Sequence, residues 1–285
     1  RGGRSVFSHI IVPVDPWATS TRSIPIAAQL AAAVGATVEI VTVASKFQEQ
    51  ISAQALDEVV AGHGPLAVDV TQHVVTDDSI SKALAARYAA TPGSMIVMTS
   101  HGRGRSASVL GSTTTELLAA TGAPIIVVGP DVAEGTIRTD GPYLVPLDGS
   151  ERADSILPVV ADWSQAFGGT PWLVAVLDPD TELPPDVLPT AALSRRGDRL
   201  EREIGRPVQY DALRHHRPGP AVVEFANQQG ASLIFAATHG RTGAAVLRAG
   251  SVAADIVRHA PCPVVMLRPS DLGAPDTTPE PPQAG

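Results

Sequence analysis

Three sets of residues in this chain combine types and spacings suited to chemistry. Asp15 and Asp148 each close an apolar run with the signature Val-Pro-x-Asp, in HIIVPVD and PYLVPLD. Ser100-His101-Gly102 and Thr238-His239-Gly240 each follow a later apolar run. Gly111-Ser112-Thr113 and Gly250-Ser251-Val252 each open a helical segment. The last placement suits phosphate. A helix N-terminus presents unpaired N–H groups and the positive end of the peptide dipole, and glycine lets the backbone approach closely. The serine hydroxyls can donate to a phosphate oxygen, or can only cap their helices; recurrence at matching positions favours the phosphate reading.

Other candidates carry less. Gly102–Ala107 fits the relaxed dinucleotide fingerprint GxGxxA after a strand, but its counterpart has Thr242 where the second glycine belongs. His101 and His239 invite an acid–base role, yet no nucleophile or partner acid accompanies them, and a hydrogen bond within the turn accounts for both. His215 and His216 are adjacent, so on a strand they face opposite ways and form no two-histidine metal site. Asp77-Asp78 stands before a helix and suits capping or charging its start. Cys262, the only cysteine, lies in Ala-Pro-Cys-Pro-Val-Val and reads as a packing thiol. No catalytic set emerges.

These residues recur because the chain is written twice. From Asp15 and Asp148 the offset is 133, and it holds for Gly35 with Gly168 and Val43 with Val176. It is 138 for His101-Gly102 with His239-Gly240, and 139 for Gly111-Ser112 with Gly250-Ser251 and Pro124 with Pro263. The growth lies in the connection after the second strand; the last step is one residue missing from the first copy between Gly102 and Gly111. Each copy alternates apolar strands with amphipathic helices. In the second, Ile156, Val160, Trp163 and Phe167 mark the core face of a helix closed by Gly168. Strands apolar on both faces, alternating with helices, predict α/β architecture: two tandem, doubly wound, parallel five-stranded sheets of Rossmann-like type. Ligands of such sheets bind beyond the strands' carboxyl ends, where all three residue sets fall. The expected domains are 1–135 and 141–268, followed by a Pro-rich, disordered tail over 269–285.

Composition bounds the rest. The chain has 285 residues, 44% hydrophobic and only 4% aromatic, so its cores are aliphatic. Its net charge of -8, without a basic run, argues against nucleic acid and anionic membranes as partners. Lys46 and Lys82 are its only lysines and neither follows glycine, which excludes a Walker-type phosphate loop. With one cysteine there is no intrachain disulfide. No apolar stretch is long enough to span a bilayer, and a cytoplasmic location is expected.

With these motifs in order and twice over, the sequence resembles the universal stress protein family. Its domains begin with a strand ending in Val-Pro-x-Asp and carry Gly-x2-Gly-x9-Gly-(Ser/Thr) after the fourth strand. The resemblance implies an ATP ligand, with or without Mg²⁺, in a regulatory protein with slow or no hydrolysis. It also implies an internal pseudo-dimer, a homodimer of the whole chain through the last strands, and an unidentified protein partner. Carried over by position, Asp148 and Val176 would contact the adenosine, and Ala237, Gly240, Gly250, Ser251 and Val252 the phosphates. The first-copy counterparts are Asp15, Val43, Gly102, Gly111, Ser112 and Thr113. The second copy keeps nine residues between Gly240 and Gly250; the first has eight between Gly102 and Gly111. The motif's first glycine is Ala237 in one copy and a β-branched Thr99 in the other. Pro16 and Trp17 follow Asp15 where Gly149 and Ser150 follow Asp148. Nucleotide is therefore expected mainly in the second copy. The alternative is an interaction module of the same fold without nucleotide.

Overall fold

A computed structural model describes residues 6–17, 21–100, 110–133, 137–181, 190–238 and 251–269. The first copy runs β1 (His9–Pro13), α1 (Ser23–Val34), β2 (Thr37–Ala44), α2 (Glu49–Gly62), β3 (Val70–Thr76), α3 (Ile80–Ala90), β4 (Ser94–Thr99), α4 (Ser112–Thr121) and β5 (Ile125–Val128). The second runs β6 (Pro142–Pro146), α5 (Glu151–Asp154), α6 (Leu157–Phe167), β7 (Thr170–Leu177), α7 (Ala191–Ile204), β8 (Gln209–Arg214), α8 (Pro218–Gln229), β9 (Leu233–Ala237), α9 (Ser251–His259) and β10 (Val264–Leu267).

Each copy has the expected five parallel strands, and the two sheets join. The strand order is β3-β2-β1-β4-β5-β10-β9-β6-β7-β8, parallel within each copy and antiparallel only between β5 and β10. There Ile126 pairs with Val265, its own counterpart at the offset of 139, so a pseudo-twofold axis passes through that pair. The last strands expected as contacts between chains therefore meet inside one chain. All first-copy strands run opposite to all second-copy strands, which puts the two sets of carboxyl ends on opposite edges of the sheet.

The strands are apolar on both faces because helices cover both. Ile10 and Val12 point into one layer with α1 and α6, and Ile11 into the other, with Leu84 and Leu117. Trp163 is fully buried and packs on Phe7, Phe167 and Phe235, so it belongs to the core as its helical spacing indicated. The helix expected around it is α6, closed by Gly168 and with Pro158 in its first turn; a separate short helix, α5, precedes it and stops at Asp154. Helix α8 begins at Pro218, because prolines at 218 and 220 are tolerated in a first turn where N–H groups lack helical partners anyway.

Candidate functional site

The second copy's carboxyl-end edge is the better ordered by sequence. Pro146 pairs with Val174, and the Leu147 N–H donates to the Val174 carbonyl at 2.8 Å. Two residues further along each strand stand Asp148 and Val176, so the sheet brings this expected pair side by side. Asp148 is exposed and holds its own turn: its Oδ1 accepts from the Ser150 N–H at 3.0 Å and from the Ser150 hydroxyl at 2.6 Å. The Ser150 oxygen in turn caps α5 by accepting from the Ala153 N–H at 3.1 Å. Gly149 sits at φ 86°, in the left-handed region. Arg196 of α7 ties this loop down, donating to the Gly149 carbonyl at 3.1 Å and pairing with Asp154 at 2.7 Å. Across the switch in strand order, Ala237 ends β9, and Ser251 and Val252 open α9, both exposed. Gly240 and Gly250 lie outside the described residues.

The first copy places the counterparts on the opposite edge, with different neighbours. Asp15 follows β1 and accepts from the Trp17 N–H at 3.0 Å, beside Val43 of β2. Pro16 occupies the position of Gly149, and the ring that fixes its φ near −65° forbids that glycine's conformation. Thr42 fastens this loop by donating to the Val14 carbonyl, a bond its counterpart Ala175 cannot make. Gly111 is the N-cap of α4 and makes no side-chain cap, so Ser112 is the first helical residue and exposed; it does not cap the helix. Thr113 follows it, half-buried, and Thr99 ends β4. Gly102, the paired histidines 101 and 239, and the 102–107 fingerprint lie outside the described residues. This edge exposes apolar side chains: Trp17, 43% exposed, after β1, Phe47 at 97% and Ile51 at 64% after β2, and Ile80 at 50% after β3.

One reading of the sequence changes here. Ser79, not Asp77 or Asp78, caps α3, accepting from the Lys82 N–H; Asp77 instead accepts from the Ser79 N–H at 2.8 Å and shapes the turn. His215 and His216 do diverge. His215 Nδ1 accepts from the Arg217 N–H, while His216 Nδ1 lies 3.3 Å from Asp178 and 3.9 Å from Asp180. That acid–histidine cluster, at the ends of β7 and β8, is fully on the surface. Neither it nor Arg196 follows from the motifs, because both join residues distant in sequence. Cys262 is buried, as a packing thiol should be.

The groups gathered on the second-copy edge are hydrogen-bond donors and acceptors suited to holding a ligand: a strand-end carboxylate, a pinned turn and a helix N-terminus. The repeated doubly wound unit with these positions defines a class of tandem Rossmann-like α/β modules. The model of the Universal stress protein family matches residues 7–129 and 142–268, and the chain belongs to that family as a tandem member. It is 29% identical to a universal stress protein of Mycolicibacterium smegmatis over 209 residues, covering 70% of this chain and 69% of the relative. A universal stress protein of Thermus aquaticus is 30% identical over 132 residues, 44% of this chain and 96% of its own length. The solved structure of a universal stress protein from Archaeoglobus fulgidus shares the fold, with a TM-score of 0.68 at 17% identity, covering 94% of this chain and all of that one. No helix among the described residues is long and apolar enough to cross a membrane.

Proposed function

We propose that this chain is an adenine-nucleotide-binding regulatory protein that holds ATP, alone or with Mg²⁺, mainly in its second copy. The domains are those the sequence divides, 1–135 and 141–268. The observation that carries the reading is the second-copy edge, where Asp148 after β6 and Ala237 at the end of β9 flank the switch point, Val176 lies on the neighbouring β7, and α9 starts at the same edge of the sheet. With two lysines in the chain, neither at this edge, the phosphates would rest on N–H groups and hydroxyls. Equilibrium dialysis with ATP and Mg²⁺ tests it: about one ATP per chain is expected, and no binding at about millimolar ATP, which corresponds to about 4 kcal/mol, would sink it.

A second reading applies to the first copy. Its four exposed apolar side chains, Trp17, Phe47, Ile51 and Ile80, favour contact with a protein over contact with a polyphosphate. Two ATP per chain would count against this division of labour.

A further inference from the structure

We propose that a turn of the first copy, Gly129–Asp131, is the positioning element for the second copy's phosphate-facing helix. The role rests on the nucleotide reading above. Helix α9 starts at the second copy's ligand edge with Ser251 and, being nine residues long, reaches about 13 Å across the sheet toward the opposite edge. There it meets the segment that follows β5. A Cβ built on Gly129 would overlap the Val257 carbonyl oxygen, one of the last carbonyls of α9. Glycine is thus required by close approach and not by backbone angle. Two residues on, His259 Nδ1 lies 3.3 Å from Asp131 Oδ2.

The turn is itself anchored in the first copy. The Arg22 guanidinium, at the start of α1, donates to the Pro130 carbonyl, Val132 is buried, and the Ile137 N–H donates to Gln29 at 2.8 Å. Within the second copy, α9 has one further close seat: a Cβ on Gly219 would come within 2.6 Å of Asp255. The helix is therefore held between a glycine of its own copy and a glycine of the other. The arrangement is not mirrored by sequence. The counterpart of Gly129 is Arg268, and the counterparts of Gly219 and Asp255 are Ser81 and Glu116, which meet through a hydrogen bond. A short helix moves as a rigid rod, so a shift imposed at Val257 is carried to Ser251 and Val252, where displacements of this size weaken contacts steeply.

The test is calorimetry of wild-type chain and Gly129→Ala, with ATP and with adenosine as separate probes, and circular dichroism to establish folding. The expected result is a loss of about tenfold or more in ATP affinity with adenosine affinity unchanged, because only the phosphates meet α9. Equal weakening of both probes would mark general loosening and overturn the role, as would unchanged ATP binding. A wild-type chain that binds no ATP would instead fail the nucleotide reading itself, and the role with it. If Gly129→Ala does not fold, Asp131→Asn with His259→Gln removes the polar half of the contact; a loss of about threefold or more, again for ATP alone, is expected, and no loss overturns the proposal.

Discussion

One place in the repeat is filled by opposite chemistries in the two copies. In the first, Glu39 of β2 is 1% exposed and gathers basic side chains from three elements: Arg87 of α3, 2.5 Å from Oε1, His9 of β1, 3.0 Å from Oε2, and His73 of β3, 3.5 Å from Oε1. In the second copy the counterparts of Glu39, Arg87, His9 and His73 are Trp172, Phe225, Pro142 and Asp211. The Trp172 ring meets Phe225 edge-on at 5.3 Å, and its N–H donates to Asp211 at 2.9 Å. The fold demands only that three strands and a helix be joined there. An ionic centre does this at the cost of needing every partner, since a carboxylate buried without its cation is expensive. An aromatic pair does it by area and one hydrogen bond.

The largest effect that could break this comparison is the loss of the guanidinium. Arg87→Met should destabilise the chain by about 2 kcal/mol in denaturant titrations, a figure reduced because Arg87 is itself partly exposed. The double change Glu39→Met with Arg87→Met moves the first copy toward the second copy's apolar solution and should recover most of the loss. Equal losses for single and double variants would show that the charge pair is not what holds this point together.

Next in size is the contrast between the two carboxyl-end edges of the sheet. Asp148→Ala should weaken ATP binding about tenfold, or about 1.4 kcal/mol, and Asp15→Ala less than about twofold. The Asp148 side chain organises its own turn through Ser150, so its removal disturbs the loop as well as any direct contact. Matching losses from the two variants would remove the asymmetry between the copies.

A smaller effect follows from acid. Burial alone would raise the Glu39 carboxyl, but hydrogen bonds from Arg87 and His9 and the charges of Arg87 and His73 outweigh it and hold the group below its ordinary value. A depressed carboxyl contributes stability above its unfolded value, and that contribution is lost as pH falls through the folded one. Stability of the wild-type chain should therefore decline below about pH 4.5, and Glu39→Gln should flatten that part of the profile while lowering the plateau at neutral pH. A wild-type profile that Glu39→Gln leaves unchanged in shape would assign acid sensitivity elsewhere, and would leave the two copies alike in this respect.

What could be read in the sequence was what depends on local pattern. The strands, most helices and the left-handed C-terminal glycines at 35 and 168 follow from periodicity and backbone preference, and they fall within a few residues of place. The duplication could be read because equivalent residues do equivalent work at strand ends. What could not be read depends on long-range juxtaposition. Nothing near Ile126 announces that it faces Val265, although both last strands are apolar enough to need a partner. Nothing near Gly129 announces the carbonyl of Val257, and nothing near Glu39 announces Arg87, 48 residues away. At the site, the strand-end aspartates could be placed from sequence, whereas Arg196, which pins the second-copy turn, could not, because its partner loop lies in another part of the chain.

The smallest expected effect sits beside the joint between the copies. Cys262 precedes β10 and its counterpart before β5 is Ala123, so at this position the two entrances to the shared seam differ by one sulfur atom. Burial pushes the Cys262 thiol up to about 12, which leaves almost no thiolate near neutral pH. The folded chain should therefore resist a thiol reagent at about pH 8 and react fully once denatured. Cys262→Ala, the first copy's own solution, should cost about 1 kcal/mol for the small void it leaves. Fast labelling of the native chain would mean that the seam opens at this end, and then the β5–β10 pairing would be a mobile joint between the copies instead of a continuous sheet.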